Sequence, residues 1–154
     1  MIVWNLLGAA NNGLGKIDEA LKAFYKVTKL NPNYADGFNN LGVTLKKLGK
    51  IEESIEAYKK ALIIKPDYVE AHYHLANALT GLGQYERAIA SYNKLIELKP
   101  DSPEVYNNLG NTLHKVHQNK EAITNFHKAI ELRANYAEPY YNLARVLEAD
   151  KDYE

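Results

Sequence analysis

The chain has 154 residues, of which 46% are hydrophobic, and its 19 lysines and arginines are matched by 19 aspartates and glutamates. The apolar content excludes a disordered polymer, and the zero net charge disfavours nucleic acid or an anionic membrane surface as a partner. The chain contains no cysteine, which excludes disulfide frameworks, thiolate metal sites and cysteine nucleophiles. No basic leader and no membrane-length apolar run are present, so we expect a cytoplasmic protein.

A repeat begins at the first predicted helix and continues to the end of the chain. Leucines separated by 34 residues mark it, each followed by glycine or alanine; they are Leu7, Leu41, Leu75, Leu109 and Leu143. We therefore expect a single repeat array over residues 1–154. Its repeats are predicted at 1–34, 35–68, 69–102 and 103–136, with a partial repeat or capping helix over 137–154.

Each repeat is predicted to contain two amphipathic helices. Apolar residues recur three and four positions apart, as at Phe38, Leu41 and Leu45 in the first helix of the second repeat. Glycines at positions 15, 49 and 83 end the first helices because glycine takes a left-handed conformation without steric cost; the fourth repeat has His117 there. Prolines 32, 66 and 100 end the second helices. One helix pair cannot bury its apolar face, so successive pairs must stack into an all-α solenoid.

An aromatic or histidine ring stands three residues before each repeated leucine, at Trp4, Phe38, His72, Tyr106 and Tyr140. Small residues at positions 8, 42, 76 and 110 allow close helix approach, and we expect these rings to fill the space between helix pairs. Replacing Phe38 by alanine should then cost about 3–5 kcal/mol. Replacing the neighbouring Asn39 should cost little, because asparagine is a poor helix former.

The order of aromatic residue, Leu-Gly, Gly, Ala, Tyr or Phe, Ala and Pro resembles the tetratricopeptide repeat (TPR) family over essentially the whole chain. The resemblance implies a right-handed superhelix of antiparallel helix pairs with a concave groove lined by the first helices. It also implies a scaffold that binds a protein or peptide, rather than an enzyme. We find no catalytic, cofactor or metal motif: His114 and His117 are three residues apart, but no third ligand has matching spacing.

On this geometry the groove is rich in asparagine, whose carboxamide both donates and accepts hydrogen bonds and so suits a peptide backbone. Such a stripe is similar to the asparagine ladder of O-GlcNAc transferases; the alternative is that repeat duplication alone produced it. The candidate peptide-binding residues are Asn39, Asn40, Tyr73, His74, Asn77, Asn107, Asn108, Asn111, Tyr141, Asn142 and Arg145.

Three of these residues also resemble, in part, the family members that clamp the C-terminal carboxylate of chaperone tails. Asn77, Asn108 and Arg145 match that pattern, but Tyr73 and Tyr141 stand where lysines are expected. Since both lysines are missing, much of the charge-assisted attraction to a carboxylate is lost. We instead expect one extended segment to contact Asn77, Asn108 and Arg145 together.

Several alternatives remain open from the residues alone. The chain is also consistent with the substrate-presenting repeat region of a larger enzyme, such as a glycosyltransferase whose catalytic domain lies elsewhere. RNA binding of the 35-residue pentatricopeptide kind is disfavoured by the 34-residue period and the neutral charge. The apolar start Met1–Trp4 and the stop at Glu154 predict either a fragment of a longer array or self-association through exposed terminal repeats.

Overall fold

The computed structural model describes residues 2–151, with side chains to residue 149, and in this range the chain forms helices and no strand. The helices are α1 (Ile2–Gly13), α2 (Ile17–Leu30), α3 (Ala35–Lys47), α4 (Ile51–Ile64), α5 (Val69–Gly81), α6 (Tyr85–Leu98), α7 (Pro103–Lys115), α8 (Asn119–Leu132) and α9 (Ala137–Lys151). The predicted all-α repeat fold is confirmed. The last residues of the predicted partial repeat, 152–154, lie outside the described range.

The chain divides into two compact units. Unit 1 is Met1–Ala78 and holds α1 to α4 with most of α5. Unit 2 is Leu79–Glu154 and holds the end of α5 with α6 to α9. In both units helices that follow each other in the chain pack together, as α1 with α2 and α3 with α4, or α7 with α8 and α8 with α9. This packing buries the apolar stripe that the sequence places on each helix.

The core is built around the rings of the second helices. Phe24 and Tyr58 in unit 1 and Tyr92 and Phe126 in unit 2 are at most 1% exposed. A Cβ on Gly42 would lie 2.5 Å from a Tyr58 ring carbon, so the predicted close approach at this small residue is confirmed. Phe24, Tyr58 and Phe126 therefore each fill the space that a glycine on the preceding first helix leaves open.

The rings on the first helices do not occupy the core, and the prediction that they do is wrong. Trp4 is 40% exposed and Tyr140 is 47% exposed, while Phe38, His72 and Tyr106 are half-buried. The physical reason is that the second-helix rings already fill the interior. We accordingly expect Phe38→Ala to cost much less than the sequence alone suggested.

The turns between paired helices have one geometry. Gly15, Gly49 and Gly83 have φ values of 73°, 75° and 72°, and His117 takes φ 60° at the same place. The residue after each closes a hydrogen bond five residues back, as from the Lys50 nitrogen to the Leu45 oxygen at 3.0 Å. This arrangement is a Schellman C-cap, and its left-handed position favours glycine.

His117→Gly is expected to raise the free energy of unfolding by about 0.5–1 kcal/mol, because a side chain with a Cβ is strained in the left-handed region. Urea unfolding measures the change. The reverse substitution at the matched turn, Gly83→Ala, should lower stability. A destabilised His117→Gly variant would show that the imidazole contributes more than the backbone strain costs.

Terminal helices expose apolar side chains within the described residues. In α1, Ile2, Val3 and Leu6 are 70%, 74% and 64% exposed, and in α9 Leu147 is 43% exposed. Self-association through these ends stays a prediction.

Candidate functional site

Asparagines on the first helices of unit 1 form a hydrogen-bonded ladder. Asn40 Nδ2 donates to Asn5 Oδ1 at 3.3 Å, and Asn5 Nδ2 donates to the Tyr34 hydroxyl at 3.4 Å. Further along, Asn12 Nδ2 donates to Thr44 Oγ1 at 3.2 Å and Lys47 Nζ donates to Asn12 Oδ1 at 2.8 Å. These bonds connect α1 to α3 and to the turn before it.

The same ladder recurs in unit 2 between α7 and α9. Asn142 Nδ2 donates to Asn107 Oδ1 at 3.0 Å. Asn107 Nδ2 is 3.3 Å from both the Tyr136 hydroxyl and Glu138 Oε2, and Tyr136 donates to that carboxylate at 2.8 Å. In both units the pairing joins the fifth position of one repeat to the sixth position of the next.

Between α3 and α5 the ladder has a histidine where an asparagine stands elsewhere. His74 occupies the sixth position and stacks on Tyr58, with ring centroids 5.6 Å apart. Its expected partner Asn39 is 6% exposed, and Asn39 Oδ1 is buried without a hydrogen-bond partner among the described residues. The Tyr58 hydroxyl is also buried without one, and burial raises the pKa of Tyr58. Unit 1 therefore contains two buried oxygen atoms, on Asn39 and Tyr58, that lack a hydrogen-bond partner among the described residues.

Burial gives His74 a pH-dependent contribution to stability. Desolvation lowers its pKa, nearby Lys46 lowers it further, and Glu70 opposes both. The unfolded chain thus takes up a proton at higher pH than the folded chain, so stability is full above the ordinary histidine pKa of about 6.5 and falls as pH drops toward the folded value. His74→Asn should remove this part of the acid dependence. Urea unfolding of both chains above and below this pKa measures it, and parallel pH profiles would contradict the assignment.

The structure separates the predicted binding residues by accessibility. Asn39 and Asn107 are buried, at 6% and 2% exposed, whereas the sequence placed both in an open groove; their contact with a partner stays a prediction. Asn40 and Asn142 are half-buried and hydrogen-bonded to the ladder. The reason is that successive first helices approach closely enough for these side chains to satisfy one another.

Asn77 and Asn108 are half-buried and engaged within the molecule, and Asn111 is half-buried. Asn77 belongs to unit 1, whereas Asn108 and Arg145 belong to unit 2, so their joint contact with one segment stays a prediction. In unit 1, Tyr73 and His74 lie edge to face with centroids 5.8 Å apart.

Two predicted residues on α9 are open to solvent and contact each other. Tyr141 is 68% exposed, Arg145 is exposed, and the guanidinium carbon lies 5.8 Å from the centre of the Tyr141 ring. Val146, on the same helix, is 1% exposed and holds the helix to the core. An aromatic face beside an always-charged guanidinium can stack on a planar group and hold a carboxylate.

Sequence reasoning missed the tyrosine and carboxylate that anchor each ladder. The signal was a tyrosine followed two residues later by an acid, as in Tyr34 with Asp36 and Tyr136 with Glu138. In unit 1 the pKa of Tyr68 is raised by burial and, to a lesser extent, by a hydrogen bond with Asp36. Asp36 and Glu138 lie in the first turns of α3 and α9, where a negative charge is favourable.

Among the described residues, 2–151, there is neither a membrane-length apolar helix nor a metal-binding cluster. No helix in this range is long and apolar enough to cross a membrane. No three histidine, aspartate or glutamate side chains described by the structure lie together as a metal site would require.

The fold is similar to that of several solved repeat proteins. A crystal structure of MamA matches with 25% identity and a TM-score of 0.91, over 94% of this chain and 85% of that chain. MamA from Desulfovibrio magneticus RS-1 matches with 19% identity and a TM-score of 0.93, over 97% and 85%. YrrB, described as a TPR protein with an unusual peptide-binding site, matches with 20% identity and a TM-score of 0.81, over 87% and 69%.

Most of the chain matches models of one repeat family. The model for the TPR repeat matches residues 12–49, 44–83 and 76–116, and the model for the tetratricopeptide repeat matches residues 103–136. No curated protein matches the chain. The matched repeats and the helix pairs described above agree, and the chain belongs to the tetratricopeptide repeat family.

Proposed function

We propose that this chain is a protein-interaction scaffold that binds an extended segment of a partner protein on the α9 face of unit 2. The observation that carries the proposal is the exposed pair of Tyr141 and Arg145. Neither side chain is needed for the core, and a large exposed ring beside a cation is typical of binding surfaces. Family membership, and the unusual peptide-binding site of the similar protein YrrB, support the same class of function.

The chemistry of the pair defines the segment that it would bind. Arg145 would donate a charged hydrogen bond to a carboxylate, and the Tyr141 ring would pack against an apolar side chain or a peptide plane. The ladder beneath, in which Asn142 is fixed by Asn107, holds the face rigid and limits the entropy lost on binding. In this proposal Asn142 contributes by positioning the helix, and direct peptide contact by the asparagines stays a prediction.

Tyr141→Ala with Arg145→Ala is expected to weaken binding of a selected peptide by about tenfold or more, since a hydrogen bond to a charged group contributes about 1.5–3 kcal/mol. The peptide is recovered from a random phage-displayed library against the full chain, and its affinity is measured by titration calorimetry. Added salt should weaken binding to the wild type more than to the double variant.

The matched control is Arg87→Ala on α6, which removes an exposed arginine elsewhere in unit 2. It should leave the affinity unchanged. Unchanged affinity in the Tyr141 and Arg145 double variant, with its melting temperature retained, would place the binding surface elsewhere and defeat the proposal.

A further inference from the structure

The second helices of unit 2 carry an ion pair at one fixed position. Lys94 Nζ lies 2.8 Å from Glu97 on α6, and Lys128 Nζ lies 2.8 Å from Glu131 on α8. Both pairs are three residues apart, and the two lysines are separated by one repeat. In α6 and α8 this surface is therefore polar and internally neutralised, whereas α2 has lysine at both positions, Lys26 and Lys29.

Helix α4 departs from this pattern at the corresponding position. The lysine is kept as Lys60, but Ile63 stands where the other two helices have glutamate. The sequence also places Glu56 four residues before Lys60, yet the Glu56 carboxylate lies 2.5 Å from Lys59 Nζ instead. The Lys60 ammonium lies 5.7 Å from the centre of the Phe38 ring, and no ion pair among the described residues involves it.

Ile63 is 80% exposed, an unfavourable state for a branched apolar side chain. It borders an open surface pocket of about 330 Å³ in unit 1, whose lining is Pro32, Asn33, Phe38, Lys60, Ile63 and Ile64. Lys60 is the one charged residue in that lining. A cavity of about 150 Å³ can hold a benzene ring, so the pocket has room for a leucine, isoleucine or phenylalanine side chain.

The neighbouring hollow contains two carboxylates in addition to Lys60. It shares Phe38 and Lys60 with the first pocket and is bordered by Glu53 and Glu56. Each of those carboxylates is already within ion-pair distance of its own lysine, Glu53 with Lys50 at 3.3 Å. Lys60 itself forms no ion pair among the described residues, so its ammonium group can pair with a carboxylate of a partner.

We propose that the pocket formed by α3, α4 and the Pro32–Asn33 turn is a second docking site. Its occupant would be a partner protein segment with one large apolar side chain next to an acidic residue. The apolar side chain would cover Phe38 and Ile63, and the carboxylate would pair with Lys60. A peptide fits better than a fatty acid because the pocket is an open depression, in which a long alkyl chain would remain in water, and because the exposed Asn33 amide can bond a peptide backbone.

Ile63→Glu is the decisive variant because it restores the lysine and glutamate pair that α6 and α8 already contain, and so it should fold. Random phage-displayed peptides are selected on the full wild-type chain after depletion on the Ile63→Glu chain. The recovered sequences should share an apolar residue beside an aspartate or glutamate. Titration calorimetry should show about tenfold weaker binding to Ile63→Glu, as for loss of an anchor side chain.

Charge pairing is tested with Lys60→Gln and with the peptide whose acid is changed to its amide. Each change alone should weaken binding, and the two together should weaken it no more than one, as expected for a coupled pair. The Tyr141 and Arg145 double variant should bind these peptides normally. If the Tyr141 and Arg145 double variant fails to bind the peptides while Ile63→Glu still binds them, the docking site in the pocket is contradicted and the α9 face alone is favoured.

Other occupants give distinct results that also overturn the proposal. Concentration-dependent association of the wild type in sedimentation velocity, abolished in Ile63→Glu, would assign the pocket to a second copy of the chain. Displacement of the peptide by decanoate at a comparable concentration would assign it to a fatty acid. Recovery of no peptide after depletion would show that the exposed isoleucine binds no such segment.

Discussion

Phe126→Ala is expected to lower the free energy of unfolding by about 3–5 kcal/mol, the cost of removing a fully buried phenylalanine and leaving a cavity. Phe126 is 0% exposed, and a Cβ placed on Gly110 would lie 2.7 Å from its ring. Since the ring fills the space opposite a glycine, neighbouring side chains cannot close the gap without moving a helix. Urea unfolding measures the change.

The matched control is Phe38→Ala. This ring is half-buried between two surface pockets, so its removal should cost less than about 2 kcal/mol. Equal destabilisation by the two substitutions would show that the Phe38 ring contributes to core packing as much as the Phe126 ring does, as the sequence alone suggested. The ordering of the two values is the test, because errors in absolute stability affect both variants alike.

Asn107→Ala is expected to cost about 2–3 kcal/mol, because it leaves buried hydrogen-bonding groups without a partner. Asn107 is 2% exposed and accepts a hydrogen bond from Asn142 while donating toward Tyr136 and Glu138. Loss of the carboxamide would also free the C-terminal helix α9 from α7. Hydrogen exchange of the α9 amides should therefore accelerate together with the fall in stability.

Asn39 stands two repeats before Asn107, at the same position of its repeat. Asn39→Ala should lower the free energy of unfolding by less than about 1 kcal/mol, because Asn39 Oδ1 has no hydrogen-bond partner to lose among the described residues and its burial is already unfavourable. Comparing the two variants distinguishes a buried asparagine that is hydrogen-bonded in a ladder, Asn107, from one whose side-chain oxygen has no partner among the described residues, Asn39. If both substitutions cost the same, the hydrogen bonds of the Asn107 ladder would contribute no net stability.

The asparagine stripe was predictable from the sequence, but the burial of its individual side chains was not. The spacing predicted that asparagines line the groove, but it did not distinguish the fifth position of a repeat, as at Asn39 and Asn107, from the sixth, as at Asn40 and Asn142. In the structure Asn39 and Asn107 are buried, whereas Asn40 and Asn142 are half-buried and bonded to the preceding first helix. The difference depends on how closely successive first helices approach, which a helical period does not contain.

For Lys60 and Ile63, unlike the asparagines, the difference between repeats is visible in the sequence of the second helices. Lysine followed by glutamate at Lys94 and Lys128, and by isoleucine at Lys60, is visible in the printed residues. What the sequence did not reveal is that Ile63 is 80% exposed beside a pocket, or that Lys59 takes the carboxylate of Glu56. Side-chain rotamers and burial decide both facts.

The repeat period, the helix pairs and the turns were predictable from the amino-acid sequence, because these follow from local rules: apolar spacing, left-handed glycine and proline. Tertiary packing distinguishes the buried ring of Phe126 from the half-buried ring of Phe38, and buried Asn107 from half-buried Asn142. The physical reason is that a helix presents its residues in a fixed order around its axis, while burial depends on the distance to the next helix, and that distance is set by side chains from another repeat.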